Sequence, residues 1–311
     1  MEFLLLITGL LGLWIGTELT ISGALSIAKR LSLSEFLVGA VILSIGSDLP
    51  ELAIAVDAGI KNNLGGNASG VVVGTTIGSI IGQIGFVLGV TGLLGYLVLP
   101  RRYIFRHGAV LLGANICLFL TALDGTINRT EGLMLITMYV VYMFALLRGE
   151  RAHTDQRKVI AENRISPWVL LVVGLIVVMG SSELTVESVL TLANRLHINE
   201  AFISIVIIGL GSSLPELSIS VSAIMKGKAK LSVGNIIGSN ILDTLLPIGV
   251  TAVISPLLFD RAFLLFDLPF IFLLTVVTLA LFVRVRGLQK KEAGIVLALY
   301  VLYLLIKFLQ L

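Results

Sequence analysis

Apolar residues along this chain do not alternate with polar ones. They come in long blocks, separated by short polar breaks that hold most of the charge. Ten blocks have about the 18 to 25 residues that a spanning helix needs. They run roughly over 2–28, 36–60, 70–98, 103–123, 131–148, 167–193, 200–225, 231–256, 262–283 and 291–310. The pattern predicts an all-α membrane protein of ten transmembrane helices. The longest polar stretch, 149–166, reads as a connector between 1–148 and 167–311, and no sizeable soluble domain is left over. The first block runs past signal-peptide length and lacks a basic start, so it is expected to remain as a helix.

Composition agrees. The chain is 57% hydrophobic and 13% charged, with a mean hydropathy of +1.04, outside the soluble globular range. The single Cys117 excludes an internal disulfide.

Two blocks carry the same polar fault: Ile45-Gly46-Ser47-Asp48-Leu49-Pro50-Glu51-Leu52 and Leu210-Gly211-Ser212-Ser213-Leu214-Pro215-Glu216-Leu217. Proline inside an apolar helix removes a backbone donor and should free the carbonyls of Gly46 and Gly211. A carboxylate at membrane depth is costly and marks an ion path or relay. Carbonyls, hydroxyls and a glutamate within one helical turn make the oxygen-rich set that hard cations such as Ca²⁺ prefer.

The fault belongs to a repeat. Sliding the chain by 165 residues lays Glu18-Leu19-Thr20 over Glu183-Leu184-Thr185, Glu35 over Glu200, and one proline motif over the other. Five residues then drop out of the second copy, and Val73–Gln83 lies over Val233–Asp243. Each half holds five predicted spans, an odd number, so the second half must enter the membrane upside down. This is the inverted-repeat plan of secondary transporters.

Loop charge sets the orientation. With the N-terminus outside, only Lys61, Arg129, Arg195, Arg261 and Lys307 of the 22 Lys and Arg residues fall in outer loops. Basic residues in short loops prefer the cytoplasm, so both termini are expected outside, in a multi-pass protein of the cell membrane. The basic residues are spread over five loops and gather on no face, so no nucleic-acid partner is expected. The lipid bilayer is the expected surrounding.

In helices two and seven, Ser47 and Glu51 share a face at i, i+4, as do Ser212 and Glu216; Asp48 lies on a neighbouring stripe. Helices three and eight place Ser79 with Gln83 and Ser239 with Asp243 in the same way. Four polar faces, two from each half, can converge on one centre. The glycines beside them, from Gly74 to Gly85 and at Gly234 and Gly238, read as close-packing positions. Glu18 and Glu183 have no ligand-rich neighbours and read as gating or structural residues. Asp57 reads as solvated. His107, His153 and His197 do not cluster, so no transition-metal site is expected. The sequons at Asn67 and Asn128 carry little weight alone.

With these residues in view, the chain resembles the α-repeats of the sodium/calcium exchanger family, within the cation/calcium antiporter superfamily. The motif segments are 44–51 with 74–83, and 209–216 with 234–243. The resemblance implies exchange of several Na⁺ for one Ca²⁺ by alternating access, with long helices one and six sliding against the other eight. It implies no enzyme activity, no cofactor and no regulatory domain, and is compatible with a monomer. It assigns Ca²⁺ and shared Na⁺ ligation to Glu51 and Glu216, and further ligand oxygens to Ser47, Ser212, Ser213, Ser79, Ser239 and Asp243. Main-chain ligands fall at Ser44 and Gly209.

Two departures stand out. Asp48 replaces the family's usual serine and adds a carboxylate beside Glu51. Gln83 stands where many members have Asn or Asp. Four carboxylates so close cannot all stay charged without cations and would titrate as a unit. The extra acid suggests H⁺ as an alternative coupling ion. An intramembrane hydrolase with paired acids is a weaker alternative, because the matched acids are glutamates beside prolines with no nucleophile.

Overall fold

The computed structural model describes residues 2–66, 68–149, 166–195, 211 and 213–309. Helix α1 (Glu2–Arg30) is followed by α2 (Glu35–Ser47) and α3 (Leu49–Asn63), which meet at 47°. Next come α4 (Ser69–Leu94), the short strand β1 (Leu97–Val98), α5 (Arg101–Thr121), β2 (Thr126–Ile127) and α6 (Arg129–Gly149). The second half holds α7 (Pro167–Arg195), α8 (Leu214–Met225), α9 (Ala229–Ile254), β3 (Leu257–Leu258), α10 (Phe263–Val285), β4 (Gly287–Leu288) and α11 (Lys290–Leu309). Among the described residues eight helices can each span a membrane, or nine if the bent pair α2 and α3 counts as one span. The apolar block predicted over 200–225 is described continuously only from Ser213 onward, and the connector 149–166 lies almost wholly outside the described residues.

Burial orders the helices. The apolar windows of α9 and α4 are 78% and 72% buried, against 22% for α11, so α4 and α9 run through the interior while the others face lipid on one side. Both interior helices carry predicted site residues. The first half of α2 lies flat on α9. A Cβ on Gly238 would sit 2.6 Å from Ala40 Cα, and so only glycine allows this approach.

The repeat is visible as a pseudo-two-fold axis. Helices α1 and α7 pack antiparallel: Gly9 lies against Thr185, and its mate Gly174 against Thr20, the mate of Thr185. Strand β1 pairs antiparallel with β4, and β2 with β3, which are mated pairings. Among the described residues, three hydrogen bonds join a residue to its own mate: Asn240 Nδ2 donates to the Ile80 carbonyl (2.9 Å), Gln83 Nε2 to Asp243 (2.8 Å) and Asn115 Nδ2 to Thr275 (3.0 Å). A residue can meet its own mate only on the axis, so the axis passes between α4 and α9 and between α5 and α10.

Candidate functional site

The proline motif does not distort one long helix. It ends one and starts another. Asp48 takes φ −91°, ψ 7° at the break, and Pro50 then stands in the first turn of α3, where its missing N–H would have had no helical partner anyway. Ser213, the mate of Asp48, takes φ −96°, ψ 6° ahead of Pro215 in α8. Asp48 and Ser213 thus make the same backbone turn, and both prolines stand in the first turn of the helix that follows. The break sets the carbonyl end of α2 beside the amide end of α3. Carbonyls at a helix C-terminus favour a cation, and Glu51 and Glu216 stand in first turns, near amide ends. The Ser44 carbonyl accepts from the Asp48 amide (3.0 Å) and the Ser47 hydroxyl (3.3 Å).

Four acids from both halves come together here. Asp48, Glu216 and Asp243 are fully buried, whereas Glu51 is half-buried. Asp48 lies nearer to the other half than the sequence suggested. Its carboxyl accepts from the Ser47 hydroxyl (3.3 Å) and faces Glu216 of the other half, with Asp243 and Glu51 close by. Ser47 also stands beside Glu216. Among the described residues, no donor closes on either Glu216 oxygen, on Asp48 Oδ2, Glu51 Oε2 or Asp243 Oδ1, and the hydroxyls of Ser213 and Ser239 are also buried without partners. Oxygens left without donors in the interior are costly unless a cation or proton completes them.

Among the described residues no three His, Cys, Asp or Glu side chains stand close enough to hold a metal ion by themselves. A cation bound here must therefore draw oxygens from serines, Gln83 or the main chain as well as from acids, as Ca²⁺ commonly does. Ser79 and Gln83 are buried on α4, opposite Ser239 and Asp243 on α9. Ser212 and Gly209 lie outside the described residues.

Two residues were not among the sequence candidates. Asn240 donates to Gln83 Oε1 (3.3 Å), and Gln83 in turn donates to Asp243, so an amide relay holds the acid in place. Its mate is the apolar Ile80, and symmetry alone therefore passes it over. Pro247 lies four residues after Asp243 inside α9 and offers no N–H to the Asp243 carbonyl, the same logic that singled out Gly46. In α4 the mated stretch is instead a π-helical turn, Gly82–Val87, which also loosens the ladder beside Gln83.

Other polar residues stay apart from the centre. His107 meets the Tyr142 hydroxyl through Nδ1 at 3.2 Å. Its mate Asp267 accepts from Tyr303 and pairs with Lys307, both at 2.7 Å. Asp57 is exposed and pairs with Lys61, and Glu18 pairs with Lys226.

The fold is that of a multi-pass membrane transporter, not an enzyme. The chain belongs to the sodium/calcium exchanger protein family, whose model matches residues 1–148 and 166–309. It is 30% identical over 257 residues to the putative antiporter CaxA of Alkalimonas amylolytica, covering 77% of this chain and 76% of that one. It is 26% identical over 350 aligned residues to the sodium/calcium exchanger MaX1 of Methanosarcina acetivorans, covering 99% and 98%. A structure of the sodium-calcium exchanger NCX_Mj soaked with 2.5 mM Na⁺ and 0.1 mM Ca²⁺ superposes with a TM-score of 0.81 at 26% identity, over 97% of this chain and 96% of that one.

Proposed function

We propose that this protein exchanges Ca²⁺ for Na⁺ across the cell membrane by alternating access, as a ten-span monomer with both termini outside. The observation that supports this most directly is the meeting of Asp48, Glu51, Glu216 and Asp243, drawn from both inverted halves, with buried oxygens that lack donors. In this reading Glu51 and Glu216 are shared by both ions. Asp243, Asp48, Gln83, Ser47, Ser79, Ser213 and Ser239 complete the oxygen set, joined by Ser212 and the carbonyls of Ser44 and Gly209.

The mechanism follows from charge. An empty cluster of carboxylates resists passage through a low-dielectric barrier, while one neutralised by Ca²⁺ or by several monovalent cations can pass. Two cation sets that need the same acids cannot be bound together, so movement of one requires exit of the other. The test is flux in liposomes holding the purified protein, with Na⁺ and pH gradients imposed separately. Ca²⁺ movement driven by the Na⁺ gradient supports the reading; its absence overturns it.

A second reading has H⁺ as counter-ion. What favours it is the buried Asp48 carboxyl facing Glu216, an arrangement in which a proton can bridge two acids. Ca²⁺ movement driven by the pH gradient alone would establish it.

A further inference from the structure

The two repeats share one plan but do not hold one conformation, and the difference falls on charged residues that the cation centre does not use. Glu18 on α1 and Glu183 on α7 are repeat mates. So are Lys226 and Lys61, which follow Pro215 and Pro50 at the same spacing. Symmetry therefore allows two equivalent ion pairs, Glu18–Lys226 and Glu183–Lys61. The structure contains one of them. Lys226 Nζ lies 2.6 Å from Glu18 Oε2, whereas Lys61 turns back 2.6 Å onto Asp57 of its own helix, and the exposed Glu183 has no ion-pair partner among the described residues.

Helix packing shows the same asymmetry. Helix α1 lies along α8, with a cleft of about 270 Å³ between Trp14 and Glu18 on one side and Ser222 and Lys226 on the other. Among the described residues, the mated contact of α7 with α3 is nearly absent. Asp57 has no acidic mate, because Ser222 stands at its place in the second copy. Lys61 thus has a partner on its own helix that Lys226 lacks.

We propose that Glu18–Lys226 and Glu183–Lys61 are alternate latches, each made in one of the two facing states and broken in the other. The inference rests on the alternating-access reading above. In an inverted-repeat transporter, exchanging the conformations of the two halves turns one facing state into the other. Close packing makes α1 and α7 move as one body, so a shift that withdraws Glu18 from Lys226 brings Glu183 toward Lys61. The side chains of the pair that is made are 32% and 46% exposed, so solvent weakens it enough to bias the two states without locking either. Asp57 tilts the balance toward the state seen here by holding Lys61 back.

The test is cross-linking in membranes on a Cys117→Ser background, with a short bis-maleimide that spans the gap left when the Glu and Lys side chains are shortened to cysteine. One protein carries Glu18→Cys with Lys226→Cys, the other Lys61→Cys with Glu183→Cys. Both pairs should cross-link, and conditions of Na⁺ or Ca²⁺ that raise one yield should lower the other. Asp57→Ser, which copies Ser222, should lower the 18–226 yield by about twofold, a shift that a surface ion pair can supply. If the 61–183 pair never cross-links while 18–226 does so in every ion condition, the Glu18 pair is a fixed tie and the latch is wrong. An 18–226 yield unmoved by Asp57→Ser also overturns it. Na⁺-driven Ca²⁺ flux by the unaltered protein is scored separately: if flux holds and the 61–183 link fails, the latch alone falls, and if flux itself fails, antiport falls.

Discussion

Gln83 donates a 2.8 Å hydrogen bond to Asp243, and the two residues occupy the same position in opposite halves of the molecule. The site is therefore built across the pseudo-two-fold axis, with an amide on one side and an acid on the other. Two acids meeting there would repel; an amide and an acid pair. Gln83→Leu removes the donor and frees Asp243 Oδ2. A hydrogen bond to a charged group is worth about 1.5–3 kcal/mol, so Ca²⁺ should bind at least about tenfold more weakly by titration calorimetry. An unchanged affinity would show that Gln83 does not position the acid.

Glu216→Gln and Glu51→Gln should each abolish exchange while leaving a folded protein. Ca²⁺ should raise the melting temperature of the parent, since at a hundredfold excess over Kd binding adds about 2.7 kcal/mol, and should not raise that of either variant. Without Ca²⁺, Glu216→Gln should melt higher than the parent, because a neutral amide replaces a buried carboxyl whose two oxygens lack donors. Retained flux in both variants would remove these residues from the site.

Asp48→Ser restores the residue that the family pattern would place there. If protons couple to transport through Asp48, the variant should lose pH-gradient-driven Ca²⁺ flux and keep any Na⁺-driven flux. If its pH profile matches that of the parent, Asp48 serves another end.

Gly238→Ala places a Cβ 2.6 Å from the Ala40 backbone, which cannot yield as a flexible side chain would. It should destabilise the protein by about 1–3 kcal/mol or prevent assembly of α2 on α9. Gly294→Ala in α11 meets nothing within 4 Å among the described residues and should leave the melting temperature unchanged or slightly higher. Thermal unfolding in detergent compares the two.

Asn115→Ala removes the donor to the Thr275 hydroxyl on the second stretch of the axis, while that hydroxyl still donates to the Ile271 carbonyl. The expected loss is about 1 kcal/mol of stability, with transport intact, since the pair is hydrogen-bonded to none of the four acids. A large effect on flux with no loss of stability would instead tie this contact to the switching motion.

Much of the molecule was legible from one dimension. The long apolar blocks predict α1, α4 to α7 and α9 to α11 because lipid forces each spanning segment to satisfy its own backbone. The two Pro-Glu motifs were readable as broken helices because proline cannot continue a ladder. What the sequence could not show was the direction of each break. Asp48 seemed to belong with Glu51, one turn away in the same copy, yet its carboxyl faces Glu216 and Asp243 of the other half as well. Asn240 was passed over because its mate is an isoleucine, and its value comes only from its contact with Gln83.

The doubled motif, its spacing and its proline were enough to specify two half-sites and their chemistry, since backbone breaks and helical faces are local properties. Which half-site residues touch, and which mated ion pair is made, depends on how the two halves pack about their axis. The chain writes Glu18 and Glu183 alike. Only the packing of α1 against α8 gives one of them a partner and leaves the other exposed.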